Sequence, residues 1–270
     1  MNDFLIFLKF YIQVLFYPIG AFIIFGLVVA LFEKAFHVFT GKTGRFLVIV
    51  TSVVGTPIHE LGHALMCILF GHKITAMSLW QPKNKDGLLG YVEHTYNKRN
   101  PYQLLGNLFI GLGPIFSGLL VIFGVLSLCF PMTLNGYMTS SQLLLSEGDN
   151  LFHVFVESLK LIPSVLSEGS ISIWLKALGI IIILSVCLHI NLSPMDIKGS
   201  MRSIPIYLAL CLIFSLVMWL LGENFVSDVV FGLKVWSLSS AVLYMIVVAS
   251  SLSLLVLAFV FFIIRKIFGK

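Results

Sequence analysis

The segment FLVIVTSVVGTPIHELGHALMCILFG, residues 46–71, is long and apolar enough to cross a membrane, yet it contains three ionisable side chains. As a helix it exceeds the roughly 30 Å hydrocarbon core of a bilayer. The three side chains are His59, Glu60 and His63. An unpaired carboxylate near the middle of a bilayer costs at least about 2.5 kcal/mol, so a chain rarely keeps one there without a function. The segment therefore predicts both a membrane-spanning helix and a functional site.

The pattern His59-Glu60-Leu61-Gly62-His63 matches H-E-x-x-H. Residues i and i+4 share one face of a helix, so both imidazoles can reach one metal ion. Glu60 lies beside them, where a carboxylate can act as a general base. Chance produces the pattern in roughly 1 of 100 such sequences, and a purely structural polar cluster is the other alternative. We predict one Zn2+ per chain, because a hydrolytic zinc site uses imidazoles among three protein ligands plus water.

The third ligand must come from elsewhere, and the segment HINLSPMDIKG, residues 189–199, offers the best candidate. Pro194 interrupts a helix there and frees backbone groups that need a partner or a cavity. Asp196 follows two residues later, and we predict that it is the third metal ligand. The alternatives are an ordinary interfacial acid paired with Lys198 or Arg202, and His189 as the ligand in its place.

The composition places the whole chain in a membrane. Of its 270 residues 59% are hydrophobic and 11% are charged, whereas soluble domains average about 25% charged. The net charge of +5 does not require a nucleic acid as partner, because Lys and Arg concentrate in loops that flank membrane spans. Four widely separated cysteines are expected to be small buried hydrophobes and not a disulfide framework. They are Cys67, Cys129, Cys187 and Cys211.

Length and hydropathy predict an all-α polytopic membrane protein with about six transmembrane helices. A cytoplasmic location is expected for both termini and for the loops 72–100 and 193–203, which together carry most of the Lys and Arg residues. The predicted spans are Tyr11–Phe32, Phe46–Gly71, Tyr102–Phe130, Ile171–Leu192, Ile204–Leu221 and Val235–Ile264.

Two of the predicted loops are expected to form secondary structure. Lys73–Tyr96 contains two β-prone runs around an Asp86-Gly87 turn signal, which predicts a membrane-associated β-hairpin against the cytoplasmic face. This hairpin is the candidate substrate-binding element, and His72 and His94 are expected at its surface. In the outer loop 131–170, the run DNLFHVFVESLKLI predicts a helix in the membrane interface.

The HELGH helix, the hairpin, the Gly113-Pro114 helix and an Asp after a Pro-containing break resemble the site-2 protease family of intramembrane zinc metalloproteases. The resemblance covers residues 46–200, without a PDZ or CBS domain; residues 1–45 add one transmembrane helix and residues 201–270 add two. It implies zinc ligation by His59, His63 and Asp196 and a general-base role for Glu60. Ser117 occupies the position of Asn in the family's G-P-x-x-N motif.

Together these features predict an intramembrane zinc endopeptidase that cleaves the transmembrane segment of a membrane protein or peptide, in a bacterial cytoplasmic membrane. A non-proteolytic transporter or scaffold that retains a zinc site is the alternative from another class. A third possibility is an intramembrane zincin whose last zinc ligand is a downstream glutamate. The candidates for that ligand are Glu93, Glu147, Glu157, Glu168 and Glu223.

Overall fold

The computed structural model describes residues 2–81, 88–146, 151–169 and 171–268. These residues form a helical protein with one pair of strands. The helices are α1 (Asn2–Phe16), α2 (Gly20–Leu69), α3 (Pro101–Cys129), α4 (Pro131–Ser146), α5 (Leu151–Leu159), α6 (Leu161–Ser167), α7 (Ile173–Cys187), α8 (Pro194–Met201), α9 (Ile204–Leu221) and α10 (Glu223–Phe268). The strands are β1 (Lys73–Ser78) and β2 (Tyr91–Thr95).

Within the described ranges, four helices are long and apolar enough to cross a membrane, namely α2, α3, α9 and α10. Helix α7 is apolar but has only 15 residues, about 22 Å of helix. The all-helical, membrane-type fold expected from the sequence is therefore present. The four cysteines are free and buried, as expected.

The predicted first span, Tyr11–Phe32, is wrong as a single helix. The chain forms turns at residues 17–19, between the end of α1 at Phe16 and the start of α2 at Gly20. Pro18 explains the break, because proline removes a helical N–H and disfavours helical backbone in the residue before it.

Helix α2 is two helical segments joined at Gly41, and the chain reverses direction there. Gly41 has φ 55° and ψ −125°, a conformation that glycine adopts without steric cost. Glu33 contacts Asn191, and His59 contacts the carbonyl of His189. A straight helix would hold Glu33 and His59 about 39 Å apart, but both reach the same short segment after α7. We call residues 20–40 α2a and residues 42–69 α2b.

One hydrophobic core joins all three parts of the chain that the sequence suggested. It contains Val29 of α2a, Ile122 and Leu126 of α3, Val186 of α7 and Val247 of α10. Because these residues pack in one cluster, the main core of the described residues draws on all three parts of the chain.

The two strands pair antiparallel from Lys73 opposite Thr95 to Ser78 opposite Tyr91, with an irregularity between Ile74 and Ala76. The predicted Asp86-Gly87 turn lies outside the described residues.

The position of the strand pair along α2b differs from the expected one. After β1, the indole Nε1 of Trp80 donates to Ser52 Oγ at 2.9 Å. Ser52 lies about 25 Å along the helix from Leu69, where α2b ends. The segment that follows β1 therefore lies beside the apolar part of α2b, where an indole N–H can find a buried hydroxyl, and not on a surface beyond the helix end.

The 131–170 loop folds into α4, α5 and α6. The start of the run that predicted an interfacial helix, Asp149-Asn150, lies outside the described residues, but the remainder forms α5 and the start of α6. Val154 of α5 is fully buried in the main core. The amphipathic pattern thus directs an apolar face into the protein.

Helices α2b and α3 meet at backbone contact where Gly62 faces Gly113. A Cβ added to Gly113 would lie 2.5 Å from the carbonyl oxygen of Gly62, and one added to Gly62 would lie 2.5 Å from that of Gly113. Small residues of this kind let membrane helices approach closely. The contact fixes the distance between α3 and the helix that carries the HExxH motif.

We predict that Gly113→Ala lowers the stability of the protein by about 1–3 kcal/mol, because the added methyl group overpacks against backbone that cannot move aside. Gly124→Ala on the same helix is the matched control, since a Cβ there meets no atom within 4 Å; it should be neutral or slightly stabilising. The measurement is thermal unfolding of detergent-purified protein. Equal shifts in Tm for the two variants would contradict the backbone contact.

Candidate functional site

Two histidines of α2b and one aspartate of α8 converge on a single point. His59 Nε2 lies 3.2 Å from His63 Nε2, and His63 Nε2 lies 3.2 Å from Asp196 Oδ1. One potential ligand atom from each of the three residues lies within 4.8 Å of the other two. In the part of the chain that the structure describes, this is the one group of three such side chains. The structure thus brings together the three residues that the sequence singled out.

Two backbone carbonyls fix the tautomers of the two imidazoles. His59 Nδ1 lies 2.6 Å from His189 O, and His63 Nδ1 lies 2.7 Å from Ile110 O. Since a carbonyl oxygen can only accept, each Nδ1 carries the hydrogen. In the neutral ring Nε2 then has a free lone pair, and both lone pairs face the point of convergence.

Helix irregularities supply both carbonyls. In a regular helix, the carbonyl of Ile110 would accept from the N–H of residue 114, but Pro114 has no N–H. The freed oxygen accepts from His63 instead. His189 follows the end of α7 at Cys187, so its carbonyl also lacks a helical partner within α7. The Gly-Pro motif of α3 therefore has a direct structural role at the site.

A capping box orients Asp196. Ser193 is the N-cap of α8: its Oγ accepts from Asp196 N at 3.1 Å, and its own N–H donates to Asp196 Oδ2 at 2.8 Å. This reciprocal bonding is the standard way to satisfy the first amides of a helix. It occupies one carboxylate oxygen and leaves Oδ1 facing His63. The interfacial pairing with Lys198 that the sequence left open is absent among the recorded ion pairs of the described residues.

The donor set fits a metal cation. Two imidazole lone pairs and a carboxylate oxygen repel one another unless a positive charge lies among them. A tetrahedral ion with bonds of 2.0–2.1 Å places its ligand atoms about 3.4 Å apart, close to the two separations of 3.2 Å. The carbonyl partners of both Nδ1–H groups match the outer hydrogen bonds that orient histidine ligands in metal sites.

Glu60 lies beside this cluster under the segment that leads into β2. Its side chain is buried. A Cβ added to Gly90 would lie 2.7 Å from Glu60 Cγ and from Thr56 Cγ2, and 3.0 Å from Glu60 Oε1. Only glycine therefore lets the backbone at position 90 cover Glu60 this closely. The carboxylate is held in a water-poor place next to the two imidazoles.

A cavity of about 860 Å³ contains the cluster and Glu60. Three polar side-chain atoms that line it are buried and have no hydrogen-bond partner within the described ranges: Thr56 Oγ1, Gln81 Nε2 and His189 Nε2. Buried polar groups are normally paired, so unpaired ones in a cavity indicate a ligand or water. The cavity also runs along β2, from Gly90 to His94.

His72 and His94 form a pair, so the expectation that His72 lies at the surface is wrong, and His94 of β2 is half-buried. His72 is buried, and its Nε2–H donates to Gln103 O at 2.7 Å. Its Nδ1 then accepts from Nδ1–H of His94 at 2.9 Å. Burial, together with the charges of His72 and His63, lowers the pKa of His94 to about 4. His94 is therefore neutral at neutral pH, and it borders the cavity.

The other candidate ligands lie elsewhere. The ring of His189 stays out of the cluster, because its Nδ1 donates to Ser185 O at 2.8 Å. Ser117, the residue at the position of the family's Asn, donates its Oγ–H to Ile58 O at 2.8 Å and so connects α3 to α2b. Glu168 accepts from the backbone N–H groups of Met132 and Thr133 at the start of α4.

The remaining glutamates also stay outside the group of converging ligand atoms. Glu157 pairs with Lys160, Glu223 begins α10, and Glu93 borders the cavity without joining the cluster. Glu147 lies outside the described residues. A zinc site completed by one of the described glutamates therefore has no support in the geometry.

Among the polar residues of the cavity that were not predicted at the site are Glu33 of α2a and Asn107 of α3. Asn107 is buried, and its Nδ2 donates to Leu104 O at 3.2 Å. The sequence pattern that could have indicated them is a carboxylate or an amide inside an apolar span, because burying such a group in a membrane costs free energy unless the residue faces a cavity.

Comparison with known proteins identifies no relative: no protein-family model, no curated protein and no solved structure matches this chain. The fold and the site therefore define the class. The chain is an all-helical, membrane-type protein in which two histidines and an aspartate converge beside a buried glutamate.

We predict that detergent-purified protein binds about one divalent metal ion, as a mononuclear site requires, and that His59→Ala, His63→Ala and Asp196→Ala each abolish binding. His189→Ala is the control, because His189 contributes its backbone carbonyl to His59 and not its ring. The measurement is metal content of the monodisperse fraction by mass spectrometry. Retention of metal by Asp196→Ala, or its complete loss in His189→Ala, would show that the ligand set is different.

Proposed function

We propose that this protein is an intramembrane zinc endopeptidase that resembles the site-2 protease family and hydrolyses a peptide bond in or near the transmembrane segment of its substrate. The observation that carries the proposal is the convergence of His59 Nε2, His63 Nε2 and Asp196 Oδ1 beside Glu60 in one cavity. A structural polar cluster would pair its donors with acceptors. This cluster instead directs three acceptors at one another, which favours a bound cation.

The donor set favours zinc over other divalent ions. Two imidazoles and one carboxylate with room for a water molecule form the usual catalytic zinc site, whereas calcium and magnesium prefer oxygen ligands. When bound, zinc lowers the pKa of a water molecule and polarises a carbonyl group.

Within this proposal, Glu60 moves the protons. Its carboxylate accepts a proton from the attacking water and delivers it to the nitrogen of the leaving amine. The carbonyls of His189 and Ile110 keep the two imidazoles in the tautomer that presents Nε2. The cover that Gly90 provides over Glu60 keeps bulk water away from the carboxylate, and a low dielectric strengthens its interactions with the substrate.

The strand β2 supplies a means to hold an unwound substrate. A transmembrane helix hides its amides in internal hydrogen bonds, so a peptide bond must leave the helix before it can be hydrolysed. Residues 90–94 border the cavity, and among the described residues β2 pairs with β1 along one edge. An extended substrate segment can add to the other edge by backbone hydrogen bonds.

We further propose that the chain crosses the membrane about six times, with both termini in the cytoplasm. The crossings are α2a, α2b, α3, α7, α9 and the apolar part of α10. The reversal at Gly41 makes two crossings of the single long helix α2. For α7, the residues on either side of the helix extend its 15 residues toward a full span.

The catalytic proposal predicts that Glu60→Gln retains the metal ion and loses hydrolysis by at least about 10²-fold, because Gln cannot accept the proton. The readout is release of a cytoplasmic fluorescent domain from a library of single-span reporters with randomised transmembrane segments, co-expressed with each variant. Glu157→Gln, a carboxylate that pairs with Lys160 away from the cavity, is the control and should match the unmodified protein. If the library yields no release, or if Glu60→Gln releases as much as the control, the protein is not a protease of this kind. The transporter or scaffold alternative then takes its place.

The topology proposal predicts that green fluorescent protein fused at either terminus fluoresces, whereas alkaline phosphatase fused there is inactive. The basic residues of the predicted inner loops dictate this orientation. Alkaline phosphatase inserted after Lys42, next to the reversal at Gly41, should be active. Active phosphatase at one terminus only would show an odd number of crossings.

A further inference from the structure

The cavity extends beyond the metal-ligand cluster to a lobe between α2a and the segment that follows α7. We call this end the α2a–α7 lobe and define it by Glu33, Val48, Leu188, His189 and Asn191. The carbonyl of His189 accepts from His59, so the lobe begins next to the ligand cluster. The mechanism proposed above uses no side chain of this lobe.

Glu33 places a carboxylate in the lobe, inside the apolar part of the chain. Its side chain is 16% exposed. Asn191 Nδ2 donates to one of its oxygens, and His37 Nε2 lies 3.6 Å from the other. Among the described residues, no lysine or arginine forms an ion pair with it. An intramembrane carboxylate without a fixed cationic partner is a candidate functional group.

His189 adds an acceptor that has no partner. The residue is 8% exposed, and its Nδ1–H donates to Ser185 O at 2.8 Å. The neutral ring therefore carries a lone pair at Nε2, which is buried and makes no hydrogen bond in the described part of the structure, while the backbone of Val48 also lies close to the ring. Asn191 gives its Nδ2 to Glu33, so its Oδ1 also remains an acceptor.

The lobe is thus rich in acceptors and contains one carboxyl group, that of Glu33. A water molecule can donate to these atoms, but it brings no charge to compensate the carboxylate. A primary ammonium group brings three N–H donors, one positive charge and no acceptor. Its donors match the carboxylate of Glu33, Oδ1 of Asn191 and Nε2 of His189.

We infer that the α2a–α7 lobe binds a primary ammonium group of the substrate, from either a lysine side chain or a free α-amino terminus. The inference rests on the proposed function for the identity of its ligand as a peptide. The lobe then fixes the register of that peptide, because the ammonium group is held at Glu33 while a peptide bond a few residues away lies at His59 and His63. Glu33 is a specificity-determining residue in this scheme.

The simpler explanation is a structural one, in which Glu33 ties α2a to the segment that carries His189 and Asn191. The two explanations differ for Glu33→Gln. Glutamine keeps an oxygen that accepts from Asn191 and therefore keeps the tie, but it removes the charge. A purely structural role predicts no change in ligand preference, whereas an ammonium site predicts its loss.

The test measures binding of fluorescent apolar peptides to detergent-purified protein with the Glu60→Gln substitution, which prevents turnover. The first peptide is N-acetylated and carries one lysine, the second has norleucine in place of the lysine, and the third lacks lysine but has a free α-amino group. We expect at least one of the two ammonium peptides to bind about tenfold more tightly than the norleucine peptide, as a charge-assisted hydrogen bond implies. Whichever of these two peptides binds more tightly identifies the source of the ammonium group.

In the Glu60→Gln protein, a second substitution Glu33→Gln should remove the preference for ammonium peptides. Glu33→Lys should reverse the preference in favour of a peptide with glutamate in place of the lysine. His37→Ala and Glu223→Gln are the controls. His37→Ala removes the neighbour of Glu33, and Glu223→Gln removes an exposed carboxylate outside the cavity. Both variants should preserve the preference for ammonium peptides. Equal binding of all three peptides, no binding of the ammonium peptides, or a preference that survives Glu33→Gln would overturn the inference.

The metal content of the same preparations separates this inference from the proposed function. If the protein binds zinc but shows no preference for ammonium peptides, the proposed protease site stands and the ammonium inference fails. If the protein prefers ammonium peptides but does not bind zinc, the ammonium inference stands and the proposed protease function fails.

Discussion

The site depends on two hydrogen bonds from imidazole to backbone carbonyl, His59 to His189 and His63 to Ile110. Carbonyls are scarce acceptors inside a membrane protein, because each one in a regular helix already accepts from an N–H four residues on. The chain obtains two free ones by different means. Pro114 withholds the N–H that would have paired with Ile110, and the end of α7 leaves the carbonyl of His189 outside a helix. Backbone breaks that would be costly facing lipid therefore orient the two imidazoles of the proposed metal site.

The contact between α2b and α3 follows from the same requirement. A carbonyl of α3 reaches an imidazole of α2b only when the two backbones are close. Gly62 and Gly113 permit this close approach, and each lies within one helical turn of a residue of the hydrogen bond between His63 and Ile110. The proline that frees the acceptor directly follows the glycine that makes room for it. Packing and site chemistry are thus encoded in the same two residues, Gly113 and Pro114.

The residues whose roles are local could be predicted from the sequence, and those that depend on packing could not. The spacing of His59 and His63 defines a shared helix face, and Pro194 marks the break before Asp196, so all three were identified. Apolar spans carry little periodic signal to show which face meets which neighbour. The sequence therefore did not indicate that Glu33 faces the cavity or that His72 lies buried beside His94.

Both ends of the cavity present acceptor atoms, and this links the two proposals. At one end three acceptors of the ligand cluster converge, and at the other the carboxylate of Glu33 lies near the unpaired Nε2 of His189. In the metal proposal, an ion held by the ligand cluster would compensate the first end. In the ammonium proposal, the second end would take its positive charge from the substrate, since the described residues provide no lysine or arginine partner for Glu33. A peptide whose ammonium group lies at Glu33 would extend its backbone along β2 to the cluster. Taken together, the two proposals would make occupation of the lobe and alignment of the peptide a single binding event.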